Sequence, residues 1–140
     1  MTPGDAVTQG VEEPERAILD TSVVIGDNVT AIRGVLAISA ITLADLHFGV
    51  LVAQTLQIRA ERLRRLSAVQ RHFDALPVDD GVAVSYGRLA AAVVDLGPKP
   101  RRRVMDLLIA ATAHAHNARL YTRNPTDFAG LDEHLTVVEV

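Results

Sequence analysis

Ala17-Ile18-Leu19-Asp20, a short apolar run that ends on an acid, sets the architecture of this chain. A comparable run, Val35-Leu36-Ala37-Ile38-Ser39, follows it, and further strand-like runs lie at 119–122 and 135–140. Helical patterns separate these runs, and strands separated by helices are typical of a parallel sheet with right-handed crossovers. The sequence therefore predicts an α/β fold, a three-layer α/β/α domain with a short parallel sheet of four or five strands.

Apolar residues at intervals of three and four predict the helices between the strands. The predicted helices span Ser39 or Thr42 to Val52, 56–73, Asp79 or Asp80 to the stop at 97–100, and 103–117. The second helix is expected to bury Leu56, Ala60, Leu63, Leu66, Val69 and Phe73. The third is expected to bury Val82, Tyr86, Leu89, Ala90, Val93 and Val94. The fourth is apolar nearly all round, which predicts that it lies inside the protein. Val78 is assigned to a further short strand.

Length and composition limit the class of protein. The 140 residues form one domain, and the absence of cysteine excludes disulfide scaffolds, zinc ribbons and cysteine nucleophiles. No apolar run is long enough to span a membrane, and the acidic start is unlike a signal peptide. We expect a flexible leader at 1–16, a folded domain at 17–140 and a cytoplasmic location.

The net charge of −3 argues at first against nucleic acid as a partner. However, the basic residues are concentrated in two clusters, at 59–71 and 99–103, and all of them except Lys99 are arginine. Arginine suits bidentate contacts with phosphate. The charge distribution therefore remains compatible with a polyanionic substrate.

Four aspartates are predicted to meet at one edge of the sheet. Asp20 ends the first strand, Asp45 and Asp106 each lie one turn into a helix, and Asp127 follows the strand at 119–122. Ligands of parallel sheets bind at the carboxyl ends of the strands. Asp106 is the strongest candidate, because an acid on a buried helix is rare unless it is paired or bound to metal. A salt bridge to neighbouring arginines is the structural alternative for Asp106, and helix capping or turn formation for the other three.

Converging carboxylates repel each other unless a cation neutralises them. Mg²⁺ and Mn²⁺ prefer such oxygen ligands, whereas zinc has little support in a chain without cysteine or paired histidine motifs. An acidic metal site suits phosphodiester hydrolysis, because the metal lowers the pKa of a bound water and stabilises charge on the reacting oxygens.

Four segments, in the correct order, resemble the motifs of PIN-domain nucleases. They are Ile18-Leu19-Asp20-Thr21-Ser22-Val23, Ser39-Ala40-Ile41-Thr42-Leu43-Ala44-Asp45-Leu46 with Gly49, Asp106-Leu107-Leu108-Ile109-Ala110-Ala111-Thr112-Ala113, and Thr122-Arg123-Asn124-Pro125-Thr126-Asp127-Phe128. Within that family, the length and the last two motifs look most like the VapC-type toxins of bacterial type II toxin–antitoxin systems. The resemblance implies an endoribonuclease that requires Mg²⁺ or Mn²⁺, cleaves RNA, inhibits translation and is neutralised by a cognate antitoxin.

The resemblance also implies roles for individual residues. Asp20, Asp45, Asp106 and Asp127 would be the catalytic and metal-binding acids, with Asn124 as the alternative ligand in the fourth motif. Supporting polar groups would be Thr21, Ser22, Thr122 and Asn124, and RNA would contact Arg101, Arg102, Arg103 and Arg123. The second motif departs from the family pattern, because Asp45 stands where glutamate is usual and its side chain is one methylene shorter.

The helices at 42–53 and 56–73 carry apolar residues that cannot all face one core, among them Leu51, Val52 and Ile58. An exposed apolar groove commonly marks a partner site. Either an antitoxin helix occupies this groove, or these residues pack on the sheet or in a homodimer. The two arrangements can coexist in a toxin–antitoxin hetero-oligomer. We expect the antitoxin to place a basic residue against the four acids.

Two other functions remain open from the sequence. The first is a catalytically inert PIN-like module that binds protein or nucleic acid, which only the shortened Asp45 favours. The second is an aspartyl-phosphate domain. The phosphatase form of that domain requires a second acid where this chain has Ser22, and the receiver form requires a lysine after a late strand, whereas Lys99 lies in a proline loop.

Overall fold

A parallel sheet of five strands lies at the centre of the computed structural model, which describes residues 15–26, 32–97 and 101–140, without the side chain of Arg101. The strands are β1 (Arg16–Leu19), β2 (Val35–Ser39), β3 (Asp74–Leu76), β4 (Arg119–Thr122) and β5 (Val137–Glu139). Their order across the sheet is β3-β2-β1-β4-β5, with all pairs parallel. The predicted α/β/α architecture is confirmed.

Strand β1 occupies the middle of the sheet because its side chains are apolar on both faces. Ala17, Ile18 and Leu19 are each no more than 2% exposed. In register, Ile18 lies opposite Ala37 of β2 and Leu120 of β4. Since successive side chains of a strand point to opposite faces, Ile18 and Leu19 belong to the two different cores.

Helices cover both faces of the sheet. One face carries α1 (Thr21–Val24), α2 (Ala40–Leu51) and α3 (Leu56–His72), and the other carries α4 (Asp80–Ala92) and α5 (Arg101–Ala115). Helix α5 is the most deeply buried, as its apolar sequence predicted, with Leu107, Ile109, Ala110, Ala111 and Ala113 at 2% exposure or less.

Side-chain caps fix the starts of α2 and α4. The Ser39 hydroxyl accepts a hydrogen bond from the backbone N–H of Ile41 at 3.1 Å. The Asp79 carboxylate accepts one from Val82 at 3.0 Å. Of the two capping residues predicted for each helix, Ser39 and Asp79 are therefore the ones used. Capping satisfies N–H groups that have no partner within the first helical turn.

The prediction that Val78 lies in a strand was wrong. Strand β3 ends at Leu76, and the side chain of Val78 is 43% exposed. Pro77 lacks the N–H that would continue the ladder of hydrogen bonds, so the strand ends before it.

The prediction that one face of α3 is buried along its whole length was wrong for the first half of the helix. Leu66 and Val69 are buried, but Leu56 is 83% and Leu63 is 50% exposed. The 17 residues of α3 extend over about 25 Å at the usual helical rise. The five residues of β2 extend over only about 17 Å. Helix α3 is therefore longer than that strand by about 8 Å, and its buried residues Leu66 and Val69 lie in its second half.

Val94, predicted to face inward, is 60% exposed. Helix α4 ends at Ala92, and Val94 begins a 3₁₀ turn, Val94–Leu96. The tighter turn takes this side chain off the inward stripe of the helix.

At the start of the chain, Arg16 already belongs to β1, and Glu15 forms an ion pair with Arg119 at 2.9 Å. Residues 1–14 of the predicted leader lie outside the described residues. Within the described ranges, no helix has the length and apolar character required to cross a membrane.

Candidate active site

A cleft of about 720 Å³ opens beyond the carboxyl ends of the central strands and is lined by all four predicted aspartates. The lining residues are Asp20, Thr21, Ser22, Ile25, Ala44, Asp45, Phe48, Arg102, Met105, Asp106, Asn124 and Asp127. They come from the segment 20–25 that follows β1, from α2, from α5 and from the turn after β4. The parallel sheet brings these segments together because the strands that precede three of them end at the same edge.

Asp20 is held in place by two hydroxyl groups. The Ser22 hydroxyl donates to Oδ2 of Asp20 at 2.8 Å, and the Thr122 hydroxyl donates to the same oxygen at 2.9 Å. Asp20 is only 5% exposed, and Thr122 is fully buried. Because both bonds reach Oδ2, Oδ1 is the oxygen that remains available to a ligand. Hydrogen bonds to an ionised carboxylate are short and strong, so this orientation is well defined.

The same two hydroxyls fix the turn that follows β4. Ser22 Oγ accepts a hydrogen bond from the backbone N–H of Arg123 at 3.1 Å, and Thr122 Oγ1 accepts one from the backbone N–H of Asn124 at 3.0 Å. The guanidinium of Arg123 lies against Gly26, where any Cβ would overlap it. The first and fourth motifs are thus joined directly through Asp20.

Asp45 is oriented by α1. Oγ1 of Thr21 donates to Oδ2 of Asp45 at 2.9 Å and lies 3.1 Å from the hydroxyl of Thr42. Thr42 is fully buried and belongs to the same helix as Asp45, one turn earlier. The carboxylate of Asp45 is therefore hydrogen-bonded to Thr21, the residue that directly follows Asp20.

Burial and mutual repulsion raise the pKa values of two of the carboxyls. The pKa of Asp106 is raised to about 7, first by burial and then by the negative charges of Asp127, Asp20 and Asp45. Burial also raises the pKa of Asp45, with a contribution from Asp20, while the hydrogen bond from Thr21 and the charge of Arg102 oppose the rise. The cleft therefore concentrates negative potential.

The salt bridge considered for Asp106 is not formed by the described side chains, whose one ion pair joins Arg119 to Glu15. Asp106 is thus a half-buried acid that forms no ion pair with a described side chain. This arrangement is typical of functional sites rather than of structural ion pairs.

The donor set fits a hard divalent cation. In the part of the chain that the structure describes, no three carboxylate or imidazole groups are placed so that they hold one ion together. Mg²⁺ is usually bound by one or two carboxylates and keeps several water ligands, so it does not need three. The oriented Asp20 and the repulsion at Asp106 both favour a cation at this place.

The arginines that were predicted to contact RNA do not all lie at the cleft. Arg102 lines the cleft, whereas the guanidinium of Arg103 donates to the backbone carbonyl of Ala129 at 3.2 Å. Arg103 and Arg123 are not among the described residues that line the cleft. The side chain of Arg101 lies outside the described part of the chain.

Sequence reasoning missed the apolar wall of the cleft, which consists of Ile25, Ala44, Phe48 and Met105. Helical spacing could have predicted that Phe48 lies beside Asp45, because it follows Asp45 by three residues and residues three apart share a helix face. The same rule places Arg102, four residues before Asp106, on the face of α5 that carries this acid.

Comparison with known proteins bears on this site. A model of the PIN domain matches residues 17–133. Ribonuclease VapC5 of Mycobacterium tuberculosis is 38% identical over 125 residues, which cover 85% of this chain and 90% of that protein. Ribonuclease VapC4 of the same organism is 32% identical over 124 residues, covering 84% and 92%. The chain belongs to the PIN-domain family. The resemblance drawn from the four motifs is confirmed.

This PIN domain also matches a solved structure of VapBC-5, a member of the VapBC family of toxin–antitoxin systems from Mycobacterium tuberculosis. The TM-score is 0.78 with 37% identity, and the match covers 91% of this chain and 100% of that chain. The PIN-domain match begins at β1 and extends beyond Asp127, so all four cleft aspartates lie inside it.

Proposed function

We propose that the protein is a metal-dependent endoribonuclease toxin that cleaves RNA, inhibits translation and is neutralised by a cognate antitoxin. One observation carries the proposal: four aspartates from four separate segments line a single cleft, and none of them forms an ion pair with a described side chain. The names of the related VapC proteins, which are ribonucleases, support the same activity. A toxin that inhibits translation would act in the cytoplasm.

Asp20, Asp45, Asp106 and Asp127 would hold Mg²⁺ or Mn²⁺, directly or through water, with Asn124 as an alternative ligand. When bound, the metal would supply a water of lowered pKa and would stabilise charge on the attacking and leaving oxygens of the phosphodiester.

The other polar residues act by orientation. Ser22 and Thr122 hold Oδ2 of Asp20 and leave its other oxygen available to the cleft. Thr21 holds Oδ2 of Asp45 and favours its ionised form. Residues that fix the ligands of a metal usually change metal affinity when they are replaced.

The antitoxin is proposed to cover the tip of the α2–α3 hairpin. The side chains there are apolar and exposed, with Leu51 at 71%, Val52 at 49%, Leu56 at 83% and Ile58 at 36%. The solved structure of VapBC-5 comes from a toxin–antitoxin system, which supports a protein partner of this kind. A homodimer is the alternative occupant of the same surface. A basic antitoxin residue beside the carboxylates would compete with the metal.

A nuclease assay on purified protein without antitoxin tests the activity. Total RNA is incubated with Mg²⁺, with Mn²⁺ or with EDTA, and Asp106→Asn is compared with Asp132→Asn. Asp132 is an exposed acid outside the cleft and serves as the matched control. We expect discrete fragments that require metal, are retained by Asp132→Asn and are lost in Asp106→Asn.

Absence of cleavage with either metal, from protein shown to be folded, would contradict the enzymatic proposal. It would favour the inert PIN-like binding module. Asp45→Glu would then test whether the shortened acid is the cause, because this variant restores the side chain usual in the second motif.

A further inference from the structure

The cleft has two chemically different walls. The carboxylates form one, and exposed apolar side chains line the same space: Phe48 is 66% exposed and Ile25 is 45% exposed. Large apolar groups left open beside charged ones indicate a ligand that has both an apolar surface and a charge. Cleavage of a phosphodiester does not by itself require such a wall.

Phe48 is unusual among the aromatic residues of the chain. The sequence has three phenylalanines, two tyrosines and no tryptophan, and all five aromatic residues lie in the described ranges. Phe128 is buried, and Phe73, Tyr86 and Tyr121 are half-buried, whereas Phe48 is exposed. It lies one helical turn after Asp45 and lines the cleft with it. Its ring is therefore available to a ligand that reaches the carboxylates.

Arg102 supplies a positive charge from a different helix. It is exposed, lines the cleft and forms no ion pair with a described acid. Its charge lowers the pKa values of Asp45 and Asp106, so it acts electrostatically on both acids without contacting either within ion-pair distance. A guanidinium that forms no ion pair with a described acid is well suited to bind a phosphate.

We propose that Phe48 and Arg102 bind one unpaired nucleotide of the RNA beside the carboxylates: the ring of Phe48 stacks on the base, and the guanidinium of Arg102 binds a neighbouring phosphate. The inference rests on the ribonuclease function proposed above and assigns two residues that hold the substrate beside the carboxylates. A base within a duplex is already paired and stacked, so an aromatic side chain can stack on it only where the strand is open.

The chain has no tryptophan, so Phe48→Trp introduces a single indole reporter at this position. The probe is a short single-stranded oligoribonucleotide of mixed sequence, compared with the same strand annealed to its complement, in EDTA so that no cleavage occurs. We expect saturable quenching of the indole fluorescence by the single strand and much less by the duplex. Stacking of a base on the indole is the cause of that quenching.

The contributions of Phe48 and Arg102 to binding are measured separately. The same single strand is given a fluorescent label, and its binding is monitored by fluorescence anisotropy. Phe48→Ala should weaken binding about 5- to 150-fold, the range found for loss of one base–aromatic stack. Arg102→Gln should reduce the slope of log K against log salt by about 0.7, as expected for one lost phosphate contact to a single strand. Val84→Ala and Arg88→Gln, exposed residues of α4 away from the cleft, are the matched controls.

Three results would overturn the inference. Binding could be unaffected by Phe48→Ala, duplex could bind as well as single strand, or the indole could respond to the antitoxin but not to RNA, which would assign Phe48 to protein contacts. If wild-type protein cleaves RNA while Phe48→Ala cleaves and binds equally well, only this inference fails. If wild-type protein neither binds nor cleaves RNA, the proposed function fails with it.

Discussion

The Thr122 hydroxyl donates a 2.9 Å hydrogen bond to Oδ2 of Asp20, across 102 positions of sequence. Both residues are buried; Asp20 directly follows β1, and Thr122 is the last residue of the neighbouring strand β4. This bond, together with the one from Ser22, determines which oxygen of Asp20 faces the cleft.

Replacing Thr122 by valine removes this bond and retains the size of the side chain. We expect Mg²⁺ affinity to fall by about 10- to 100-fold, the usual cost of losing a group that orients a metal ligand. Isothermal titration calorimetry with Mg²⁺ measures the effect. Thr126→Val, at an exposed position of the following turn, should leave the affinity unchanged. Equal affinities in wild type and Thr122→Val would contradict the assigned role.

Lengthening Asp45 to glutamate is expected to raise Mg²⁺ affinity several-fold. The added methylene extends the carboxylate away from α2. In the wild-type protein, the hydrogen bond from Thr21 to Oδ2 of Asp45 restrains the shorter side chain. The same calorimetric titration measures the change, with Asp95→Glu, an exposed acid outside the cleft, as the control for added length alone. A lower affinity in Asp45→Glu would mean that this site is built for the shorter acid.

The raised pKa of Asp106 predicts how the stability of the metal-free protein depends on pH. Folding raises this pKa from 3.8 to about 7, so between these values the folded state binds more protons than the unfolded state. The contribution of Asp106 to the free energy of unfolding therefore falls as pH rises through this window. Above pH 7 the folded protein carries an ionised, half-buried acid.

Asp106→Asn removes the free-energy cost of keeping an ionised, half-buried acid in the folded protein. In EDTA at pH 8, we expect the variant to melt roughly 3–5 °C above wild type, the shift for about 1 kcal/mol in a domain of this size after allowance for solvent screening. At pH 5, where Asp106 is protonated, the difference should nearly vanish. Calorimetric scans at both pH values test this, and Asp132→Asn should show no such pH-dependent gain. A variant less stable than wild type at pH 8 would count against the raised pKa.

The exposed tip of the α2–α3 hairpin predicts separate effects on folding and on partner binding. Leu51→Glu with Leu56→Glu should leave the melting temperature close to that of wild type, because both side chains are largely exposed. The same double change should abolish co-purification with the co-expressed antitoxin, because charges would enter an apolar contact. Val84→Glu, on the opposite layer, should retain the complex. Normal binding by the double variant would place the antitoxin elsewhere.

Most of the sheet could be predicted from sequence because its central strands are apolar on both faces and end on polar groups. β1 and β2 follow directly from this pattern. β3 could not be predicted, since it begins at Asp74, has three residues and lies at the edge of the sheet. α1 has four residues, too few for any periodicity to appear. The exposure of Leu56 also depends on how α3 packs in the folded chain, which no local pattern contains.

The four aspartates of the cleft could be predicted because each stands next to a recognisable strand or helix. Their hydrogen-bond partners were harder to assign. The sequence suggested that Thr21 and Ser22 support the site, but it did not indicate that they serve different acids, Asp45 and Asp20. Neighbouring residues of a short helix point in different directions, and only the packed structure shows which carboxylate each one reaches. The same limit applies to the consecutive arginines at 101–103.

The parallel strand order also determines when during synthesis the proposed nuclease can become active. Asp20 leaves the ribosome early, yet its partner Thr122 and the cleft residue Asp127 are made more than a hundred residues later. The hairpin tip at Leu51 and Leu56, by contrast, is complete before half of the chain has been made. A partly synthesised chain therefore lacks the complete cleft, so the proposed nuclease cannot cut RNA until the segment that carries Thr122 and Asp127 has been made and has packed beside Asp20.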